Sequence, residues 1–363
     1  MPSLVRQTFP VEPFPEDLKT HPLLVVDYEQ VKAGDKAAIE TLFKACSQLG
    51  FFYLKNHNID PEPVFHVGED TFDLPMDDLM KFEQGDSGMS AGFKAAGLNN
   101  VDKEGNRDTA YFINIAKDDA WHYPEIKQRT YPEPTTRGMP TISNFTKQSN
   151  EVLLTLMEAL EEPLGLPQGT FRPLHTPDKL SGSETRIIRK PAEGEDGYIA
   201  EGTKGGAPAA AIGAHTDFGS FSMLHGRGTG GLQVLPPGTS EWQYIKPLPD
   251  HAVCNVGDTL NVFTGGIFNS NIHRVIPPPA PQNKYTRWSC VFFIRPFFDC
   301  PLEPLSDRSS LIAERAQAHP VISKMEKGVT AGDWFKRRIR NQRVANGVPW
   351  EKSRGTEHTP LQA

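Results

Sequence analysis

The chain alternates between short continuous apolar runs and longer stretches in which apolar side chains recur every three or four residues. Leu23-Leu24-Val25-Val26-Asp27 and Phe51-Phe52-Tyr53-Leu54 are of the first kind and predict buried strands. Ala38, Ile39, Leu42, Phe43, Cys46 and Leu49 are of the second kind, and Gly50 stands where a helix C-cap is expected. The longest helical pattern runs from Ile142 to Leu164. Its apolar stripe, which includes Phe145, Leu153 and Leu160, predicts a helix bracing one face of a sheet. Further helices are expected over 61–74, from Asp307 through Met325 and from Gly332 to Ala345.

Strand patterns dominate the second half. Asp108 to Ile115, Thr185 to Pro191, Trp242 to Ile245 and Val253 to Phe263 each read as a strand, with turn signals at Gly230-Gly231 and Pro236-Pro237-Gly238. Many short strands separated by turns predict a closed or double-sheet antiparallel structure, mainly β with flanking helices. Residues 1–20, rich in proline, predict an extended surface arm. Irregular connections are expected over 84–107 and 122–140, a mobile loop over a pocket mouth at 193–210, and a disordered tail in the last ten residues.

Composition narrows the function classes. A chain of 363 residues is long enough to bury a sizeable core, and no linker separates independent domains. The formal net charge of −7 disfavours nucleic acid or an anionic membrane as partner, because both call for a concentrated basic face. The local run Lys336-Arg337-Arg338-Ile339-Arg340 reads as the wet side of a helix. Cys46, Cys254, Cys290 and Cys300 lack Cys-x-x-Cys spacing and are expected to be reduced and structural. No apolar run reaches membrane-spanning length and no leader pattern opens the chain, so a soluble cytoplasmic protein is expected. Oligomeric state is not legible.

Candidate chemistry concentrates between Gly213 and Phe293. His215 and Asp217 stand two apart, so in an extended strand they point the same way and can share one ion, while Thr216 points away. His273 follows after enough chain for several strands to lead out and back. Two imidazoles and one carboxylate would occupy one face of a metal and leave the other open, as non-haem Fe(II) oxygenases require. Structural zinc sites instead close all four positions and draw on cysteine. Arg287 opens an otherwise largely apolar strand, where it calls for an anion; its planar fork suits a carboxylate, and Ser289 on the same strand face adds a hydroxyl donor. Arg274 is expected to make a structural ion pair and Asp258 to fit a turn or backbone cap. His225 and His251 lack partners at ligand spacing.

Together, His215-Thr216-Asp217-Phe218-Gly219-Ser220, Gly230-Gly231-Leu232-Gln233-Val234, Asn255-Val256-Gly257-Asp258, Ser270-Asn271-Ile272-His273-Arg274-Val275 and Arg287-Trp288-Ser289 resemble the isopenicillin N synthase-like branch of the Fe(II)/2-oxoglutarate-dependent dioxygenases. The Gly50-Phe51-Phe52 strand and Asn56-His57 turn are similar to that family too; His57 is read as a turn histidine bonded to backbone. The resemblance implies a double-stranded β-helix, or jelly roll, core over 181–300, an N-terminal helical and strand region over 1–180 packed on it, and C-terminal helices and tail over 301–363. It implies His215, Asp217 and His273 as Fe(II) ligands and catalytic residues, Arg287 and Ser289 as the 2-oxoglutarate site, and O2 as the oxidant. The family often carries a tyrosine at the position of Lys190; here Lys190 either serves the same anion or points to solvent. By the same analogy the strand at 108–115 borders the substrate cavity, and Tyr111 or Phe112 either touches substrate or fills core.

The implied reaction oxidises a C–H bond of a small organic molecule, by hydroxylation, desaturation or cyclisation, with release of succinate and CO2. A substrate of secondary-metabolite or amino-acid size fits the family's habits. Two alternatives stay open: an Fe(II) oxidase of the isopenicillin N synthase type that does not consume 2-oxoglutarate, to which Lys190 lends weight, and a non-catalytic jelly-roll binding protein, whose signature would be a lost ligand.

Overall fold

The computed structural model describes residues 11–102, 104–192, 194–195 and 210–347. Its strands are β1 (Leu24–Asp27), β2 (Phe51–Lys55), β3 (Gly92–Lys94), β4 (Tyr111–Ala116), β5 (Glu184–Lys190), β6 (Ile212–His215), β7 (Phe221–Gly226), β8 (Leu232–Val234), β9 (Gln243–Tyr244), β10 (Ala252–Val256), β11 (His273–Val275) and β12 (Arg287–Ile294). An eight-stranded sheet has the order β1-β2-β10-β7-β12-β5-β4-β3, and a four-stranded sheet the order β6-β11-β8-β9. Every pairing within the two sheets is antiparallel except β1 with β2. This is the expected mainly-β jelly-roll core with flanking helices.

Strand alternation divides the large sheet into two faces with different tasks. Phe51 and Tyr53 of β2, Phe112 of β4, Ile188 of β5, and Val291 and Phe293 of β12 turn inward and pack with Leu232, Val234 and Val275 of the small sheet. Their neighbours Phe52, Ile113, Ile187, Cys290 and Phe292 turn outward into a second core with the helices. The 21-residue helix Met139–Ala159 carries Phe145, Leu153 and Leu156 into that second core, as its periodicity predicts. Helix Lys36–Gln48 begins at Asp35, whose carboxylate accepts from Ala38 N at 2.8 Å. It ends ahead of Gly50, which sits at φ 80° with the carbonyl of Asn269 directly where a side chain would stand, so only glycine fits.

Three readings of the secondary structure are corrected. The stretch 84–107 is not all loop, because β3 lies within it and pairs β4 at the sheet edge. The strand expected over Val253 to Phe263 stops at Val256, and Asp258–Phe263 is a helix. The backbone of Gly219 lies against Gly257 so closely that a Cβ there would collide, and Asp258 N bonds Asp217 O at 2.7 Å, which turns the chain. Residues 122–140 include the short helix Glu133–Arg137 and the start of the long one. The described part of the arm seats Phe14 against Gly230 and Tyr244. Residues 1–10, nearly all of 193–210 and the last ten residues lie outside the described part. Among the described residues no helix is long and apolar enough to cross a membrane, and all four cysteines are free and buried.

Candidate metal centre and active site

β6 ends at His215 and β11 begins at His273, and the two residues are register partners, which brings their ring centroids to 4.3 Å. Asp217 follows β6, and its Oδ1 lies 3.6 Å from His215 Nε2 and 3.8 Å from His273 Nε2. One ligand atom from each of the three lies within 4.8 Å of the others.

The remaining atoms of the three side chains are engaged elsewhere. His215 Nδ1 is 2.7 Å from Gly213 O and His273 Nδ1 is 3.2 Å from Asn271 O, so each Nδ1 carries the proton and each Nε2 turns a lone pair inward. Asp217 Oδ2 accepts from Ser222 Oγ at 2.5 Å and from Asn255 Nδ2 at 2.8 Å, leaving Oδ1 for the shared point. Burial alone would raise the Asp217 carboxyl; the adjoining imidazoles of His215 and His273, with the hydrogen bond from Asn255, instead hold it well below the usual carboxylate range. Burial pushes His273 down to about 4, with His215 adding to the effect. The site therefore presents two imidazole nitrogens and one carboxylate oxygen toward a single point. That donor set fits a divalent iron ion with open positions.

Asp258 ties together the two segments that carry His215, Asp217 and His273. Its Oδ1 accepts from Ser270 Oγ at 2.7 Å and its Oδ2 from Thr216 Oγ1 at 3.1 Å. Arg338 of helix Ala331–Gln342 completes the group through Nη1 to Asp258 Oδ2 and Nη2 to Thr216 O at 2.9 Å. The basic run of that helix is thus not all wet, because Arg338 turns into the core and is 2% exposed. Asp258 is a buried charge partner and not only a turn residue.

A cavity beside His215 and Asp217 is walled by Phe112, Phe293, Arg186 and Arg295. Phe112 is on the inner face, whereas Tyr111, one residue before it, belongs to the helix-side core. Arg287 lies on the opposite sheet from β6 and β11, where Nε donates to Gly230 O at 2.9 Å and Nη1 to Ser289 Oγ at 2.6 Å. It lines a separate hollow with Leu224, Leu232 and Val253. Burial lowers its pKa to about 10, so it stays charged, and no carboxylate pairs with it among the described residues. Lys190 is the register partner of Arg287 and 4% exposed, which removes the solvent reading.

The other candidates lie apart. His57 Nδ1 accepts from Ile59 N at 3.2 Å, His225 packs edge-on against His57 and Phe145, and His251 Nδ1 meets Pro249 O. Arg274 makes no ion pair among the described residues. It donates to its cross-strand neighbour Gln233 at 2.8 Å and lies over the Trp242 ring, since the residues facing it across the strand pair are uncharged. Sequence reading missed Ser222, Arg186 and Arg295. Their strand positions were legible, but which inner-face neighbour each would meet was not.

The sequence model of the 2OG-Fe(II) oxygenase superfamily matches residues 199–296, and that of the non-haem dioxygenase in morphine synthesis N-terminal region matches 23–135. A 2-oxoglutarate-dependent dioxygenase of Gibberella zeae is 26% identical over 290 residues, spanning 77% of this chain and 81% of the relative. The 1-aminocyclopropane-1-carboxylate oxidase of Dictyostelium mucoroides is 28% identical over 366 residues, spanning 89% of this chain and 95% of the relative. The fold is shared with a full-length Neurospora crassa protein crystallised in complex with alpha-KG, at TM-score 0.68 and 23% identity over 90% of this chain and 97% of that one. It is also shared with a 2OG-Fe(II) oxygenase family protein from Caulobacter crescentus, at TM-score 0.69 and 22% identity over 88% and 99%. The chain belongs to the 2OG-Fe(II) oxygenase superfamily and is a non-haem Fe(II)- and 2-oxoglutarate-dependent dioxygenase.

Proposed function

We propose that His215, Asp217 and His273 hold the Fe(II), that Arg287 and Ser289 bind the far carboxylate of 2-oxoglutarate, and that the cavity walled by Phe112 and Phe293 receives a small organic substrate. The observation that carries this reading is the convergence of His215 Nε2, His273 Nε2 and Asp217 Oδ1 on one point while every other polar atom of the three is held by a neighbour. Bound iron supplies O2 activation coupled to decarboxylation of 2-oxoglutarate to succinate and CO2, with oxidation of a substrate C–H bond.

The chain's own part is positioning and exclusion of water. Asp217 is kept ionised and oriented by Ser222 and Asn255. Arg287 fixes one end of the cosubstrate with two directed donors, and Ser289 both accepts from Arg287 and can donate to the carboxylate. The apolar inner-face residues Leu224, Val253 and Val291 line the interior between the sheets and limit water there. Lys190 beside Arg287 adds a second cation to that end.

The test is anaerobic Fe(II) titration of the full chain with and without 2-oxoglutarate, read by the visible charge-transfer band and repeated with His215→Ala and Arg287→Ala. The band is expected in the parent, absent without His215 and shifted to higher 2-oxoglutarate concentration without Arg287. Iron binding without a band at any 2-oxoglutarate concentration, or product formed without succinate, would point to the oxidase chemistry that spares 2-oxoglutarate. Failure to bind iron would refute the ligand assignment.

A further inference from the structure

Two guanidiniums, Arg186 and Arg295, stand in the wall of the cavity beside His215 and Asp217. Arg186 of β5 shares the inner face with Phe112 and Asn114 of β4 and Phe293 of β12, as the register of these strands requires. Its guanidinium lies 4.4 Å from the Phe112 ring centroid and 4.9 Å from that of Phe293, clamped between the two faces. Nε donates to Asn114 Oδ1 at 2.7 Å and Nη2 to Glu184 Oε1 at 3.0 Å. Nη1 has no partner among the described residues, and the side chain is 15% exposed on the cavity side.

Arg295 continues the same wall. Its Nη2 reaches the same Glu184 oxygen at 3.3 Å, while its Nε is buried and has no hydrogen-bond partner among the described residues. Two guanidiniums therefore share one carboxylate. The other acids of the cavity are committed: Asp108 to Lys94, and Asp217 to the ligand cluster. A half-buried guanidinium with a donor edge open to a cavity gains a charge-assisted hydrogen bond when an anionic acceptor enters. The aromatic clamp also fixes the fork in advance, so little side-chain freedom is lost on binding.

We propose that this cavity is selective for a small organic carboxylate, with Arg186 as the residue that takes the carboxylate group and so orients the rest of the molecule toward the point shared by His215, Asp217 and His273. Arg295 adds positive potential behind it. The inference rests on the reading that Arg287 serves 2-oxoglutarate, because only then is Arg186 left for a second anion.

The experiment is isothermal titration of the full chain, without oxygen and with Mn(II) in place of iron at saturating 2-oxoglutarate, against small aliphatic and aromatic monocarboxylates, each paired with its primary amide. At least one carboxylate is expected to bind well above its amide. Arg186→Gln should weaken that carboxylate by roughly ten- to a hundredfold, the span of a lost charge-assisted hydrogen bond, and leave 2-oxoglutarate affinity unchanged. Arg186→Lys, which keeps a charge for Glu184 but loses the fork, should fall between. Thermal melts of both variants check folding. Amides binding as well as carboxylates, no carboxylate binding at all, or an Arg186→Lys protein that is folded and indifferent to the change would each overturn the proposal. If the parent does not bind 2-oxoglutarate in the first titration, the failure belongs to the Arg287 assignment instead.

Discussion

Arg338 and Asp258 form a buried ion pair 80 residues apart that closes over Thr216, the residue between His215 and Asp217. Through Ser270 the same carboxylate also reaches the segment leading to His273. The C-terminal helix thereby braces the chain on which His215 and Asp217 stand.

Removing one member leaves the other buried and unpaired. Asp258→Asn is expected to destabilise the protein by about 3–5 kcal/mol, and Arg338→Met by a similar amount. The double variant should lose less than the sum, because the pair fails as a unit. Denaturant unfolding of the three variants measures this; additive losses would show that the two residues act independently.

Ser222 and Asn255 fix Asp217 Oδ2, so their loss should be felt at the metal before it is felt in the fold. Ser222→Ala or Asn255→Ala is expected to lower Fe(II) affinity by roughly ten- to a hundredfold, as for other partners of metal ligands. Metal titration followed by a melt without metal separates the two effects. An unchanged affinity would mean that Asp217 keeps its orientation without them.

Arg287→Lys keeps the charge but loses the fork and the paired bonds to Gly230 O and Ser289 Oγ. The expected result is a rise in the 2-oxoglutarate KM with a smaller change in kcat, and Fe(II) affinity as in the parent. A fall in Fe(II) affinity would place Arg287 in the support of the metal site.

His225 is buried against His57 and Phe145, and its Nε2 has no hydrogen-bond partner among the described residues. Burial lowers its pKa to about 3 from an ordinary 6.5, with His57 adding to the shift. The unfolded chain therefore takes up a proton that the folded one refuses. Stability from this group is complete above pH 6.5 and is lost as pH falls toward the folded pKa, with a slope of up to about 1.4 kcal/mol per pH unit. His225→Phe should flatten that slope and keep stability near neutrality. Unfolding free energies between pH 7 and pH 5 decide it, and an unaltered slope would assign the acid sensitivity to other groups such as His175, also lowered to about 4 by burial.

Local pattern alone carried a good part of the structure. The helix that stops before Gly50, the strand at Phe51, the long helix through Phe145 and the β-rich second half follow from apolar period and turn or cap residues, which act within a few positions of themselves. The spacing of His215 and Asp217 and the isolated arginine at Arg287 exposed the candidate chemistry for the same reason.

What the sequence could not decide was who meets whom across the sheets. Gly257 read as part of a strand because nothing nearby in the chain shows that the Gly219 backbone presses on it. Arg338 read as solvent-facing because its partner Asp258 lies far off in sequence. Arg274 read as an ion pair because the neutral Gln233 opposite it is set by register between separate strands. Lys94, Arg186 and Arg295 carry the same lesson: whether a charge is wet, paired or left facing a cavity depends on long-range packing that fixes its dielectric surroundings. Apolar period, cap residues and residue type set the elements and the chemistry available. Tertiary structure decided which charges are satisfied, and therefore where a ligand's charge is wanted.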